Sequence, residues 1–190
     1  MANKDISIYD NYIDPREFRK IQSTMMDDPS FTWTWCEHSV RDQFQDDGTL
    51  LPNNYQYVHI FMNNIFLFDH KLSKHIHILK PLIDMIGAIA WIRIKANANP
   101  RTEEIVVSGF HQDVTEKRLL ESEPKTAIFY INSNDGYTLF EDGTKVKSVA
   151  NRICIFPHWM KHSGTTCTNA NRRIAILTAI FSIIIQSRSI

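Results

Sequence analysis

The sequence has no surplus of charge. Its 190 residues carry 21 Lys plus Arg against 21 Asp plus Glu, a formal net charge of +0. No broad basic field is therefore available to hold nucleic acid by its phosphates, which leaves only a local patch for such a partner. Long hydrophobic runs are missing too. The longest late apolar stretch, IAILTAIFSIII (174–185), is too short to span a bilayer. The opening MANKDISIYDNY has no apolar core of the secretory kind, so no export signal is expected. Cysteine is scarce: Cys36, Cys154 and Cys167 form an odd set without paired spacing. They read as reduced thiols in a cytoplasmic setting, Cys154 as a small core residue. Internal repeats, low-complexity tracts and linkers are absent, so residues 1–190 read as one domain.

What is present is globular in character, with 43% hydrophobic and 22% charged residues. ISIYDNYI (6–13) reads as an opening strand. DPREFRKIQSTMM (14–26) starts a helix: Asp14 can cap it, Pro15 suits the first helical position and Glu17 falls at the capping-box position. Phe18, Ile21 and Met25 share one face of that helix. YQYVHIFMN (55–63) alternates like a strand. Residues 70–86 carry a helical pattern, with a kink or break expected at Pro81 and a stop at Gly87.

From residue 90 the period changes to two. AWIRIKAN, EIVVSGFHQD, KTAIFYIN, YTLFEDG, TKVKSVAN, RICIFP and RRIAILTAIFSIII read as strands separated by NANPR, NSNDG and EDG. The expected architecture is mainly β: an antiparallel sandwich or small barrel (90–185) behind a helical and stranded N-terminal cover (1–89). Helices would pack on the outside of the major sheet.

Within EIVVSGFHQD, alternate side chains share a face. His111 and Asp113 therefore point one way and Phe110 and Gln112 the other. Imidazole and carboxylate are a natural mixed pair for a divalent first-row metal, and a third ligand is needed. His38, His59, His70, His75 and His77 lie in the N-terminal cover and read as solvated or core residues. His158 and His162, in FPHWMKHSGTT, remain. Arg172 and Arg173 open an otherwise apolar strand, where a buried guanidinium needs a carboxylate partner. The planar fork suits a small dicarboxylate.

His111-x-Asp113, then His162, then an arginine about ten residues on, resembles the Fe(II)/2-oxoglutarate-dependent oxygenase superfamily. The segments KTAIFYINSNDGYTLFEDG and RICIFPHWMKHSG are similar to its prolyl-hydroxylase-like branch, which includes small phage-encoded oxygenases. The resemblance covers residues 90–182 well and the N-terminal half loosely. It implies a double-stranded β-helix, a distorted jelly roll of the cupin-like kind. It also implies Fe(II) on His111, Asp113 and His162, with 2-oxoglutarate and dioxygen filling the open positions and ascorbate in support. His158 is then a surface or supporting residue.

The resemblance further implies that the arginine opening the last strand takes the far carboxylate of 2-oxoglutarate. Strand alternation selects Arg173, which shares a face with Ala175, Leu177 and Ala179. Arg172 shares its face with β-branched residues suited to packing on another layer. By the same resemblance Tyr130 reaches that carboxylate, and Ile128 packs on the cosubstrate's methylenes. Thr138 and Asn97 are candidates for further polar contacts. Arg101, Glu103, Trp33 and Trp35 are substrate-side candidates, with solvated or packing roles as the alternative. The carboxylate Asp113 implies hydroxylation rather than halogenation.

The implied activity is hydroxylation of a peptidyl (prolyl-type) or free amino-acid side chain, coupled to conversion of 2-oxoglutarate to succinate and CO2. A nucleic-acid demethylase of the same superfamily and a non-catalytic cupin-like metal sensor are the alternatives. No membrane partner is expected. A cytoplasmic location is, with a virus-encoded protein acting in its host's cytoplasm as one form of it.

Overall fold

The structure is a computed structural model, and it describes residues 5–37, 55–64, 71–114 and 123–183. An eight-stranded antiparallel sheet forms its body. The strands are β1 (Ser7–Tyr9), β2 (Thr34–Cys36), β3 (Gln56–Asn63), β4 (Lys71–Leu72), β5 (Ala88–Pro100), β6 (Lys125–Tyr130), β9 (Arg152–Pro157) and β11 (Arg172–Ile183). Their order is β1-β9-β6-β11-β5-β3-β2, with β4 paired to β3. A smaller sheet, β10-β7-β8, is built from β7 (Tyr137–Phe140), β8 (Lys145–Lys147) and β10 (His162–Gly164). The two sheets make the jelly roll expected from the period-two pattern.

Alternation along the central strands sorts two cores onto opposite faces of the large sheet. On the outer face Ile94, Ala96, Phe129, Ile174 and Ile176 pack against helix α1 (Pro15–Met26) and helix α2 (Lys80–Ile86). On the inner face Ile128, Tyr130, Cys154, Phe156 and Ala175 pack with Phe140 and Val146 of the small sheet. Each fully buried Phe or Ile contributes about 1.5–3 kcal/mol. These cores make the large sheet a rigid wall for whatever the inner face presents.

Helix α1 begins as its sequence dictates. Asp14 Oδ1 accepts from the backbone N–H of Arg16 (2.8 Å) and Glu17 (3.3 Å). Phe18, Ile21 and Met25 are buried. Glu17 pairs with Lys20 instead of closing a capping box. The Arg172 guanidinium donates to the Met26 carbonyl at the other end (2.5 Å), tying α1 to β11.

Three expectations need correction. The helical pattern over 70–86 resolves into β4, a 3-10 turn at Ile76–Leu79 and then α2, because Pro81 sits in the first turn of a helix and cannot continue one. Gly87 does end it, at φ 60°. The opening strand is confined to Ser7–Tyr9. EIVVSGFHQD is not a regular strand. It runs beside the chain around β10, bonded to it at Val106–Thr166 and Ser108–Gly164 but forming only the isolated bridges Val107↔Thr165 and His111↔His162, with Arg101↔Cys167 just before it. His38 and His70 lie outside the described residues. Among the described residues no helix is long and apolar enough to cross a membrane.

Candidate active site

One bridge of that irregular segment builds the centre of the site. His111 N–H donates to the His162 carbonyl (3.0 Å) and His162 N–H to the His111 carbonyl (3.1 Å). Such a doubly bonded antiparallel pair places both side chains on one face. The rings lie 4.7 Å apart, centroid to centroid. Alternation brings Asp113 to the same side, and one ligand atom from each of the three lies within 4.8 Å of the others.

The donor atoms are prepared for a cation. His111 Nδ1 lies 3.1 Å from the Gly109 carbonyl and His162 Nδ1 3.3 Å from that of Met160. A carbonyl only accepts, so each Nδ1 carries a proton and Nε2 is the atom each ring turns to the cluster. Asp113 Oδ2 and His162 Nε2 are buried, 3.5 Å apart, and have no hydrogen-bond partner. Two orphaned buried ligand atoms facing each other fit a metal ion.

Burial alone would push the Asp113 carboxyl up. His162, Arg93 and His111 outweigh it and hold the group well below the usual carboxylate range. Burial lowers His111, against the pull of Asp113, and so favours the neutral ring a metal needs. The Arg93 guanidinium donates to Asp113 Oδ1 at 2.9 Å, which fixes that carboxylate and leaves Oδ2 to the cluster.

Arg173 marks the other end of the site. It is 3% exposed, and among the described residues it has no carboxylate partner. Its Nε donates to Ser148 Oγ (2.6 Å) and its Nη2 to Thr138 Oγ1 (3.2 Å). Tyr130 is fully buried, and its hydroxyl is 2.8 Å from Thr138 Oγ1. Burial, then Cys154, raises the Tyr130 phenol, so it stays neutral. Burial lowers Arg173, the signature of a charge waiting for a counter-ion.

A pocket of about 430 Å³, partly open to solvent, joins the two ends. His111, His162, Arg173, Ile128, Thr138 and Asn97 all line it, whereas Tyr130 lies behind the wall. Its remaining lining includes Gln56, Asn99, Ser108, Gly164 and Leu177, which the sequence reading missed. Asn97 Oδ1 is buried without a partner. A signal for the wall was present in AWIRIKANANP: Asn97 and Asn99, which line it, continue a run with Arg93 and Lys95 at every second position between Ile92, Ile94, Ala96 and Ala98. Polar residues at that period on a central strand can only face a wet cavity.

Other singled-out residues lie elsewhere. His158 is outside the cluster; its Nδ1 is buried without a partner. His59 is satisfied in the core by the Thr32 carbonyl (2.7 Å) and Ser73 Oγ (2.9 Å). His75 makes a tilted ring contact with Phe31, and His77 bonds to the Lys74 carbonyl. Arg101 and Glu103 border a separate groove with Tyr55. Trp33 and Trp91 pack against the outer core, Trp159 is exposed, and Trp35 stacks on Tyr55. By the register Trp35↔Tyr57↔Ala98, Trp35 faces away from the pocket. The three cysteines form no disulfide; burial pushes the Cys154 thiol up to about 12.

No known family model and no curated protein matches the chain. Solved structures do. One is a 2OG-Fe(II) oxygenase family oxidoreductase from Burkholderia pseudomallei, with 12% identity and a TM-score of 0.63 over 93% of this chain and 85% of that one. Another is a prolyl hydroxylase from Trichoplax adhaerens in complex with a hypoxia inducible factor peptide fragment: 10% identity, TM-score 0.62, 94% and 84% covered. A third is the viral collagen prolyl hydroxylase of Paramecium Bursaria Chlorella virus-1 as its 2OG complex: 11% identity, TM-score 0.56, 95% and 98% covered. The chain thus has the fold of the 2OG-Fe(II) oxygenases and of their prolyl-hydroxylase-like branch.

Proposed function

We propose that residues 1–190 act as a single Fe(II)- and 2-oxoglutarate-dependent dioxygenase, a hydroxylase of a peptidyl (prolyl-type) or free amino-acid side chain. One observation carries the reading. A buried guanidinium that has no carboxylate partner among the described residues and a cluster of orphaned His and Asp ligand atoms line or adjoin one pocket. A ligand that satisfies both ends must carry a carboxylate for Arg173 and donor atoms for a metal, as 2-oxoglutarate does.

His111, Asp113 and His162 would hold Fe(II) by three donors, leaving positions open. When bound, iron and 2-oxoglutarate supply oxidative decarboxylation to succinate and CO2, coupled to hydroxylation of a C–H bond. Arg173 binds the far carboxylate through charge-assisted hydrogen bonds, oriented by Ser148 and Thr138. Tyr130 braces Thr138 from behind. Ile128 and Leu177 cover the cosubstrate's methylenes and exclude water. Asn97, turned about its amide, offers either a donor or an acceptor to the same ligand. Arg93 holds Asp113 deprotonated and oriented.

The direct test is succinate formation from 2-oxoglutarate with Fe(II), oxygen and ascorbate, together with anaerobic, metal-dependent 2-oxoglutarate binding. Failure of both in protein that retains a cooperative melt would support a metal-binding module without turnover. Oxygen-dependent products 16 mass units heavier, sought by mass spectrometry in peptide and amino-acid libraries, would name the substrate.

A further inference from the structure

Lys95 is a cation with no assigned work. It lies on β5 between Asn97 and Arg93 on the pocket side. Across the sheet its register partners are Leu177 on β11 and Ile60 on β3, and neither offers an acceptor. Ile60 is 36% exposed, so this side of the site is open. Arg93, next on the same face, is a second cation within electrostatic reach of Lys95. Asp113 is the one carboxylate nearby, and Arg93 already holds it at 2.9 Å. Among the described residues no carboxylate makes an ion pair with Lys95.

Among the described residues, Arg93, Lys95 and Arg173 stand against Asp113 alone. A divalent metal and a dianionic cosubstrate cancel each other, so filling the proposed sites leaves the excess untouched. Lys95 stands apart from the cation that takes the far carboxylate. Arg173 pairs with Asn99, and Lys95 lies four residues further along β5, about 13 Å at strand rise. The unpartnered Asn97 Oδ1 between them marks this stretch of wall as built for ligand.

We infer that Lys95 is a substrate-binding residue and that the substrate carries a carboxylate close to the carbon that is hydroxylated. The inference rests on the reading of the site as a 2-oxoglutarate-dependent oxygenase. The carboxylate is either the α-carboxylate of a free amino acid or an acidic side chain of a peptide. An uncharged prolyl segment would cover Lys95 beside the reacting centre without pairing it, which costs binding affinity.

The test is calorimetric binding to the Zn(II)-loaded full chain, which performs no oxygen chemistry. 2-Oxoglutarate is titrated first; if the wild type does not bind it, the underlying reading fails at that step, before any probe is added. Two probe sets follow on the saturated protein: free L-amino acids with their carboxamides, and short peptides carrying Asp or Glu with their Asn or Gln counterparts. The expected result is that a carboxylate probe from one set binds about tenfold or more tighter than its amide. Lys95→Met should erase that preference and Lys95→Arg keep it, with 2-oxoglutarate affinity unchanged in both. The set that binds distinguishes free amino acid from peptide. The proposal is overturned if no carboxylate probe binds, if acid and amide bind equally, if Lys95→Met keeps the preference, or if it weakens 2-oxoglutarate instead. Lys95→Met is expected to fold, since it removes an unpaired charge at nearly constant volume.

Discussion

Asp113 Oδ2 and His162 Nε2 face each other across 3.5 Å, both buried and both without a hydrogen-bond partner. Each residue's other polar atom is committed, Asp113 Oδ1 to Arg93 and His162 Nδ1 to the Met160 carbonyl. A fold that satisfies one atom of each residue and leaves the other bare at the same point has shaped a cation site.

Alanine at His111, Asp113 or His162 should therefore lower Fe(II) affinity by more than about 100-fold, beyond the usual effect of losing an outer partner. His158→Ala should leave it nearly unchanged, since His158 lies outside the cluster. Metal content after dialysis and anaerobic metal titration report both. Metal loss in His158→Ala with retention in His162→Ala would reassign the third ligand.

The two neighbouring arginines should separate by phenotype. Arg173→Leu is expected to cost about 2–5 kcal/mol in 2-oxoglutarate binding, hence about 30-fold or more in affinity. The melting temperature of the ligand-free protein should hold or rise, because the variant removes a buried charge that lacks a carboxylate partner among the described residues. Arg172→Ala should do the reverse: cosubstrate affinity near wild type and stability lower by about 1–2 kcal/mol, through loss of the bond to the Met26 carbonyl. Titration of the anaerobic iron complex and thermal melts read the two effects.

Gly136→Ala should be damaging although the residue touches no proposed ligand. A Cβ there would lie 2.6 Å from the Thr166 carbonyl and 2.7 Å from Arg173 Cδ. The carbonyl is backbone and cannot give, so Arg173 must shift. A loss of about 1–3 kcal/mol in stability is expected, together with weaker 2-oxoglutarate binding. Melting and cosubstrate titration on one sample would show whether the two losses occur together.

Acidification should destabilise the metal-free protein from about pH 6.5 downward. Burial lowers the folded-state pKa of both His111 and His59. Between that lowered value and the unfolded value of about 6.5, the unfolded chain binds protons that the folded chain refuses. The stability these rings contribute is thus present above pH 6.5 and lost as pH falls through the window. Melts between pH 5 and 8 should show the decline, and His111→Asn should flatten part of it. A flat wild-type profile would contradict the assignment.

Much of the fold was legible because its signals are local. The cap at Asp14, the apolar face of α1, the stop at Gly87 and the period-two strands from residue 90 were read correctly from neighbouring residues alone. Failures came where a local pattern had two physical realisations. Apolar residues over 70–86 suit a helix, a 3-10 turn or a short strand equally until tertiary packing chooses. Apolar alternation in EIVVSGFHQD predicts a strand, yet its partner is so short that only isolated bridges form. Lys95, Asn99 and Gln56 were missed because a polar side chain on a central strand has meaning only once the cavity it faces is known.

By itself the sequence determined which side chains share a face. His111 goes with Asp113, Arg173 with Ala175 and Leu177, and Arg93 with Lys95 and Asn97, since a strand's side-chain period is a property of the chain alone. Only the tertiary structure decided which faces meet. It made His111 and His162 a bonded pair, gave Asp113 to Arg93 and Met26 to Arg172, and left Arg173 and Lys95 without carboxylate partners among the described residues. Those choices depend on strand register and sheet order, which are set by long-range packing of both cores and have no counterpart in any short stretch of residues.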